Sequence, residues 1–351
     1  MRWTVALAVA VSVVLAAACL ISKLGGNDDL ARSCVRGLRY LITAELALLT
    51  IFSLVGVSYE RRARAQDAAQ FHPARRLVDI GGYRLHLYCI GRGGPTVVLE
   101  HGHQATYLDW FRVQPQIAAF TRVCSYDRGG YGWSDRSPKE RIPSVMAEEL
   151  HALLSAAGEK PPYIVVGHSF GAMNVTMFAH KFPNDVSGVV LVDGSTPETL
   201  HRAPLPTRLW IRMMQFAVPF GLPRWRGWCQ GGPQEISAIR QAVTCRAQNF
   251  ETVLDEDVAF PRAVNDVKPI TNLGSIPLVV IARDPNRGQE SAAEAKHNQL
   301  QRETAKLSTN SRFVVATGSG HDVPLARPDV VAGAVKSLLR PAAQAGSRET
   351  P

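Results

Sequence analysis

The passage from Tyr163 to Lys181 constrains the fold more than any other stretch of the chain. An apolar run, Tyr163-Ile164-Val165-Val166, leads through Gly167-His168-Ser169-Phe170-Gly171 into a helix-period segment that begins near Ala172. A serine flanked in this way sits on a sharp strand-to-helix turn, where glycines keep side chains out of a crowded backbone. The turn holds the serine in a strained conformation and projects its hydroxyl at the top of a sheet.

From about residue 72 the chain supplies that sheet, alternating short β-rich runs with helix-period runs in the pattern of a mostly parallel sheet covered by helices on both faces. Leu77 to Ile80 and Tyr83 to Ile90 flank Gly81-Gly82, a pair suited to positive φ, and read as an antiparallel hairpin. Thr96 to Glu100, Val123 to Tyr126, Tyr163 to Val166, Val186 to Val192, Ile276 to Ala282 and Phe313 to Ala316 complete a set of eight strands. Pro143 to Ala157 and Ala172 to Lys181 are the clearest helices. Residues from about 195 to 268 leave the alternation, are rich in Pro, Trp and Met, and read as an inserted helical cap. The domain therefore covers residues 72–340, and residues 341–351 read as a disordered tail.

A serine hydroxyl is a poor nucleophile near neutral pH and needs a base. His321 is the candidate, in the loop Gly318-Ser319-Gly320-His321-Asp322 just after the last expected strand. His86 falls within a strand, while His151, His180 and His297 fall on helices, the last on a solvated one. An acid that orients the histidine should follow a strand end between the two. Asp284 follows the seventh strand and Asp193 the sixth. The strand before the last favours Asp284, which leaves Asp193 as a loop-ordering residue. An oxyanion needs two preorganised N–H donors. One is the backbone of Phe170, at a helix N-terminus; the other is expected from His103 in Glu100-His101-Gly102-His103-Gln104. His101 reads as a buttress of that loop.

Residues 1–60 read as a membrane anchor. Trp3 to Ser22 carries no charged residue, and Tyr40 to Tyr59 is a second apolar stretch interrupted by Glu45. Each is long enough to cross a hydrocarbon layer of roughly 30 Å as a helix. Two helices forming a hairpin is the first reading. A cleaved signal peptide followed by one helix, or lipid attachment at Cys19, are the alternatives. Residues 61–71 form a basic linker. Charge does not decide which side of the membrane the rest of the chain faces, since both the loop after the first segment and the linker after the second are arginine-rich.

The net charge of +9 is concentrated in this region, with Arg61, Arg62, Arg64, Arg75 and Arg76 close behind an apolar segment. Such a cluster suits lipid headgroups, and no nucleic-acid-binding signature accompanies it. The six cysteines lack the Cys-x-x-Cys spacing and histidine neighbours of a metal site. Cys89 with Cys124, and Cys229 with Cys245, read either as disulfides or as buried free thiols.

Taken together, Leu99-Glu100-His101-Gly102, Asp127-Arg128-Gly129-Gly130-Tyr131-Gly132-Trp133-Ser134, Gly167-His168-Ser169-Phe170-Gly171, Asp284 and Gly320-His321 resemble the α/β-hydrolase superfamily over residues 72–340. Within it the chain is most similar to serine esterases, enol-lactonases and proline iminopeptidases. Ser169 argues against haloalkane dehalogenases and epoxide hydrolases, which place an aspartate there. The resemblance implies that the segment from Asp127 braces the oxyanion loop, with Asp127 and Arg128 structural. The resulting expectation is a membrane-anchored serine hydrolase without cofactor, acting through an acyl-enzyme on an ester-like bond of a small, apolar acyl substrate. An acyltransferase or a cofactor-free peroxidase on the same residues is the alternative, as is a non-catalytic binding protein.

Overall fold

The computed structural model describes residues 28–71, 76–285 and 292–339, with residues 17, 19, 21 and 23–25 ahead of them. The chain divides into two units: Met1–Ala65 with Pro219–Leu222, and Gln66–Val218 with Pro223–Pro351. Among its described residues the first unit is mainly one helix, α1 (Asp28–Gln70), 43 residues long and so about 64 Å from end to end. Its most apolar 18 residues have a mean hydropathy of 2.0, which makes it long and apolar enough to cross a membrane. Leu46, Leu49, Phe52 and Val55 recur at helical spacing and are each more than half exposed.

Where the sequence predicts a polar loop, a helix over residues 40–59 and a basic linker over 61–71, α1 runs unbroken from Asp28 to Gln70. Arg, Ala, Glu and Gln, which dominate residues 60–70, are good helix formers, and no proline interrupts them. Ion pairs within the helix, Arg32 to Asp29 at 2.6 Å and Arg64 to Glu60 at 2.9 Å, fit the same continuity. A change from apolar to polar residues along a helix does not mark where it ends. The expected helix at residues 3–22 falls largely, and the tail at 341–351 wholly, outside the described residues. A disulfide joins Cys19 to Cys34.

In the second unit all eight expected strands form: β1 (Arg76–Asp79), β2 (Arg84–Ile90), β3 (Thr96–Glu100), β4 (Val123–Tyr126), β5 (Tyr163–His168), β6 (Val186–Val192), β7 (Leu278–Arg283) and β8 (Ser311–Ala316). They lie in the order β1-β2-β4-β3-β5-β6-β7-β8. The pairs β1–β2 and β2–β4 are antiparallel and every later pair is parallel. Central strands are buried on both faces, so successive residues serve different cores. Val165 packs with Leu153 and Phe178, from α2 (Pro143–Ala157) and α3 (Phe170–Lys181). Ile164 and Val166 pack on the other side with Trp110, Val331 and Val335.

The segment between β6 and β7, read from the sequence as a cap, holds α4 (Leu205–Ala217), α5 (Ser237–Thr244) and α6 (Ala247–Val267). After β7 come α7 (Ala292–Thr304) and, behind β8, α8 (Pro328–Leu338). Both cysteine pairs considered from the sequence are bonded. Cys89 and Cys124 face each other across the β2–β4 ladder, and Cys229 and Cys245 join two cap segments.

Phe178 has no exposed surface and packs against Tyr163 and Phe182. Phe178→Ala should lower unfolding free energy by about 3–5 kcal/mol in chemical denaturation. A loss under about 1 kcal/mol would contradict the packing of this face.

Candidate active site

Ser169 stands between β5 and α3 with φ 53° and ψ −123°, a strained backbone for a residue other than glycine. The glycines around it answer crowding. A Cβ on Gly167 would strike the backbone of Gly171, and one on Gly171 would approach the carbonyls of Glu100 and His101 at 2.5 and 2.6 Å. Sharp reversal beside β3 is therefore possible only with glycine at both places.

His321, in the loop after β8, brings Nε2 to 3.0 Å from Ser169 Oγ. Its other ring nitrogen, Nδ1, lies 2.5 Å from Asp193 Oδ2. Asp193 directly follows β6, the strand next to β5, and its side chain is fully buried. Asp284, favoured for this place from the sequence, instead accepts the Gly318 N–H at 2.7 Å, while its own N–H donates to Ser319 O. It braces the loop that carries His321. The physical reason lies in the register: Val192 and Ile281 pair side by side, so Asp193 follows its strand immediately, whereas β7 continues through Arg283 before Asp284.

Asp193 is shared by more groups than the sequence suggested. Its Oδ1 accepts from His297 Nε2 at 2.8 Å and from the Arg283 backbone N–H at 3.1 Å, and Arg283 Nε donates to both oxygens. Burial alone would raise its pKa. The hydrogen bonds from His297 and His321 and the Arg283 charge outweigh that and hold the carboxyl well below the usual range. His297, expected on a solvated helix face, is turned inward from α7. Nothing in its neighbourhood in the sequence marks it for this contact, because the partner lies 104 residues away.

His168, next to the nucleophile, places Nε2 at 2.9 Å from the carbonyl of His321, fixing that loop from the opposite side. Burial holds its pKa down at about 4.

The loop after β3 lies directly on the serine, since a Cβ on Gly102 would sit 3.1 Å from that of Ser169. Arg128 secures this loop. Its buried guanidinium donates to the carbonyls of His101 at 2.6 Å and Gly102 at 2.9 Å, and to the carboxylates of Glu100 and Glu256 at 2.6 and 2.9 Å. Glu256 comes from the cap helix α6 and also accepts from Tyr131 and from His103 Nδ1, both at 2.8 Å. Burial would raise the Glu256 pKa, but Arg128 and His103 keep it well below the ordinary value. Asp127 accepts from His86 and from the backbone of Tyr107 and Trp133, ordering the neighbouring turn. His101, buried beside Arg128, is pushed down to about 3 and is neutral, with Nδ1 donating to Gly102 O at 2.8 Å. Phe170 is buried at the start of α3 against Phe260 of α6. One cluster of metal-ligand types occurs among the described residues, Cys89, Cys124 and Glu159, and its two sulfurs are joined in the disulfide.

A family model described as alpha/beta hydrolase fold matches residues 95–272. The chain belongs to this family. Membership places it among the hydrolases. This α/β hydrolase is 27% identical to the probable transporter efuK of Hormonema carpetanum over 307 residues, 76% of this chain but only 43% of that protein's length. It is also 27% identical to the uncharacterized protein YqjL of Bacillus subtilis over 250 residues, 69% of this chain and 82% of that one. Among solved structures, a thermophilic esterase from Thermogutta terrifontis superposes with a TM-score of 0.54 at 20% identity, over 75% of this chain and 97% of the esterase.

Two outcomes test this arrangement. Asp193→Asn should slow the reaction of Ser169 with a fluorophosphonate by about 10³-fold or more, and Asp284→Asn by much less; the reverse ranking would restore Asp284 as the partner of His321. The second concerns pH. Because the folded-state pKa values of His101 and His168 lie below the unfolded value near 6.5, both take up protons on unfolding. Their contribution is fully present above that value and is lost as pH falls towards about 4 and then about 3. Stability should drop by about 1 kcal/mol per pH unit for each near pH 6. Denaturation midpoints that stay level between pH 7.5 and 5.5 would contradict it.

Proposed function

We propose that this α/β hydrolase is a membrane-anchored serine hydrolase that cleaves an ester-like bond by acyl transfer to Ser169. The observation that carries the reading is the continuous chain of contacts from Ser169 Oγ through His321 to Asp193, at 3.0 and 2.5 Å. With Asp193 accepting at Nδ1, the His321 tautomer leaves Nε2 free to take the hydroxyl proton as the oxygen attacks the acyl carbon. The buried Asp193 charge then stabilises the imidazolium. Backbone N–H groups of Phe170 and His103 receive the oxyanion, the first from a helix N-terminus and the second from the loop bolted down by Arg128. His321 gives the proton to the leaving alkoxide; it then takes a proton from water as that oxygen attacks the acyl carbon, and passes it to Ser169 Oγ as the bond from serine to the acyl group breaks. Its side chain is 44% exposed, which supports access by that water.

Anchoring rests on α1, whose length and apolar surface suit a membrane span. The disulfides Cys89–Cys124 and Cys229–Cys245 support a catalytic unit that faces an oxidising compartment, since such bonds persist poorly in a reducing cytosol.

Hydrolysis of p-nitrophenyl esters of graded chain length by wild type and Ser169→Ala tests the mechanism. The wild type should turn over while the variant loses about 10⁴-fold or more of kcat. Equal rates for the two would rule the mechanism out.

A further inference from the structure

The cap carries an apolar surface that its own core does not use. Among the described residues of the catalytic unit, eight large hydrophobic side chains are exposed, and seven of them fall within residues 205–228. On α4, Leu205, Leu209 and Met213 follow one another at a spacing of four residues and form a row along the outer side. Each is at least half exposed. Ile211, Met214 and Ala217 occupy the opposite side of the same helix and are buried. A helix that is apolar on both sides has an inner face for the protein and an outer one that water does not favour.

Aromatic and basic groups border this row. Trp210 and Trp228 meet edge to face with centroids 5.2 Å apart, and the Arg226 guanidinium lies 5.5 Å from the rings of both Trp225 and Trp228. Residues 199–234 contain five arginines and no aspartate or glutamate. Arg208 pairs with Asp257 and Arg224 with Asp67. Arg202, Arg212 and Arg226 have no ion pair among the described residues. Leucine and methionine flanked by tryptophan and arginine are what a surface needs to enter the headgroup and upper acyl layer of an anionic bilayer. A second copy of the chain fits less well, because a two-fold contact would set these arginines against their own counterparts.

The same face opens inward. A cavity of about 350 Å³ is lined by the exposed Trp210 and Trp228, by Ile211 and Met214 of the buried side of α4, and by Gln104. Gln104 directly follows His103 in the loop beside Ser169. The cavity thus reaches from two of the exposed tryptophans beside the row to the residue that follows His103, and its volume suits an acyl group.

We propose that the outer face of α4, with Trp225 and Trp228, seats in an anionic bilayer surface and admits membrane-dissolved amphiphilic esters to Ser169 through this cavity. The substrate part rests on the hydrolase mechanism proposed above; the docking part does not. Tethering by α1 would hold the catalytic unit at a bilayer without deciding which face it turns to the lipid, and the cap face decides it.

The test uses the full chain reconstituted in phosphatidylcholine vesicles, with and without phosphatidylglycerol. Brominated lipids should quench tryptophan fluorescence of the wild type, and the quenched component should fall sharply in Trp210→Phe/Trp225→Phe/Trp228→Phe. It should grow with phosphatidylglycerol in the wild type but not in Arg202→Gln/Arg212→Gln/Arg226→Gln. Leu209→Ser/Met213→Ser should hydrolyse a long-chain ester dissolved in the bilayer about 10-fold more slowly, while its rate on a short, water-soluble ester shows that the site is intact. Equal quenching in the wild type and the triple phenylalanine variant would overturn the docking face. So would tryptophans shielded from both lipid and aqueous iodide in a species of twice the mass, which would mark a contact between copies. Unchanged hydrolysis of the bilayer ester by Leu209→Ser/Met213→Ser would overturn the route. Activity surviving in Ser169→Ala would instead remove the serine mechanism and leave the quenching result standing.

Discussion

The buried guanidinium of Arg128 holds the working end of this molecule together. It lies between two carboxylates, Glu100 at the end of β3 and Glu256 on the cap helix α6, and also caps the carbonyls of His101 and Gly102. A lone charge in such a place would be prohibitively costly, and the arrangement holds because every partner is charged or aimed. One side chain thereby couples the sheet, the loop that lies on Ser169 and the cap that covers it. Loss of either carboxylate would leave the guanidinium with a single buried counter-charge and with N–H donors that have lost their acceptor, so cap and loop cannot be altered independently.

Asp193 plays a comparable part on the other side of the nucleophile. It collects His321, His297 and Arg283 on one buried carboxylate, and these partners come from β7, α7 and the loop after β8. The carboxylate stays charged in spite of burial because those donors outweigh desolvation. His168 and Asp284 then hold the His321 loop from two further directions. The histidine that meets Ser169 is thus positioned by groups that themselves have little freedom.

Much of this was legible in the sequence. The eight strands were visible because buried parallel strands are continuous β-branched runs, and the serine turn because its glycines are demanded by backbone crowding within a few residues. His321 was legible from its place after the last strand. The choice between Asp193 and Asp284 was not. Both follow apolar strands, and what separates them is that β6 lies next to β5 while Asp284 turns towards Gly318, facts of strand order and loop closure. Glu256 and His297 gave no local signal either, since each reads as an ordinary polar residue on a helix.

The sequence by itself determined which segments become strands, where the backbone reverses at Ser169, where the cap is inserted and that the N-terminal region is apolar enough for lipid. These follow from side-chain period, from glycine's missing Cβ and from hydropathy, all properties of near neighbours along the chain. Only the tertiary structure decided which carboxylate meets His321, which cysteines pair, that α1 continues without a break to Gln70, and which cap side chains remain outside the core. Those outcomes depend on distances between residues far apart in sequence, and on which of two apolar faces of one helix finds protein to pack against.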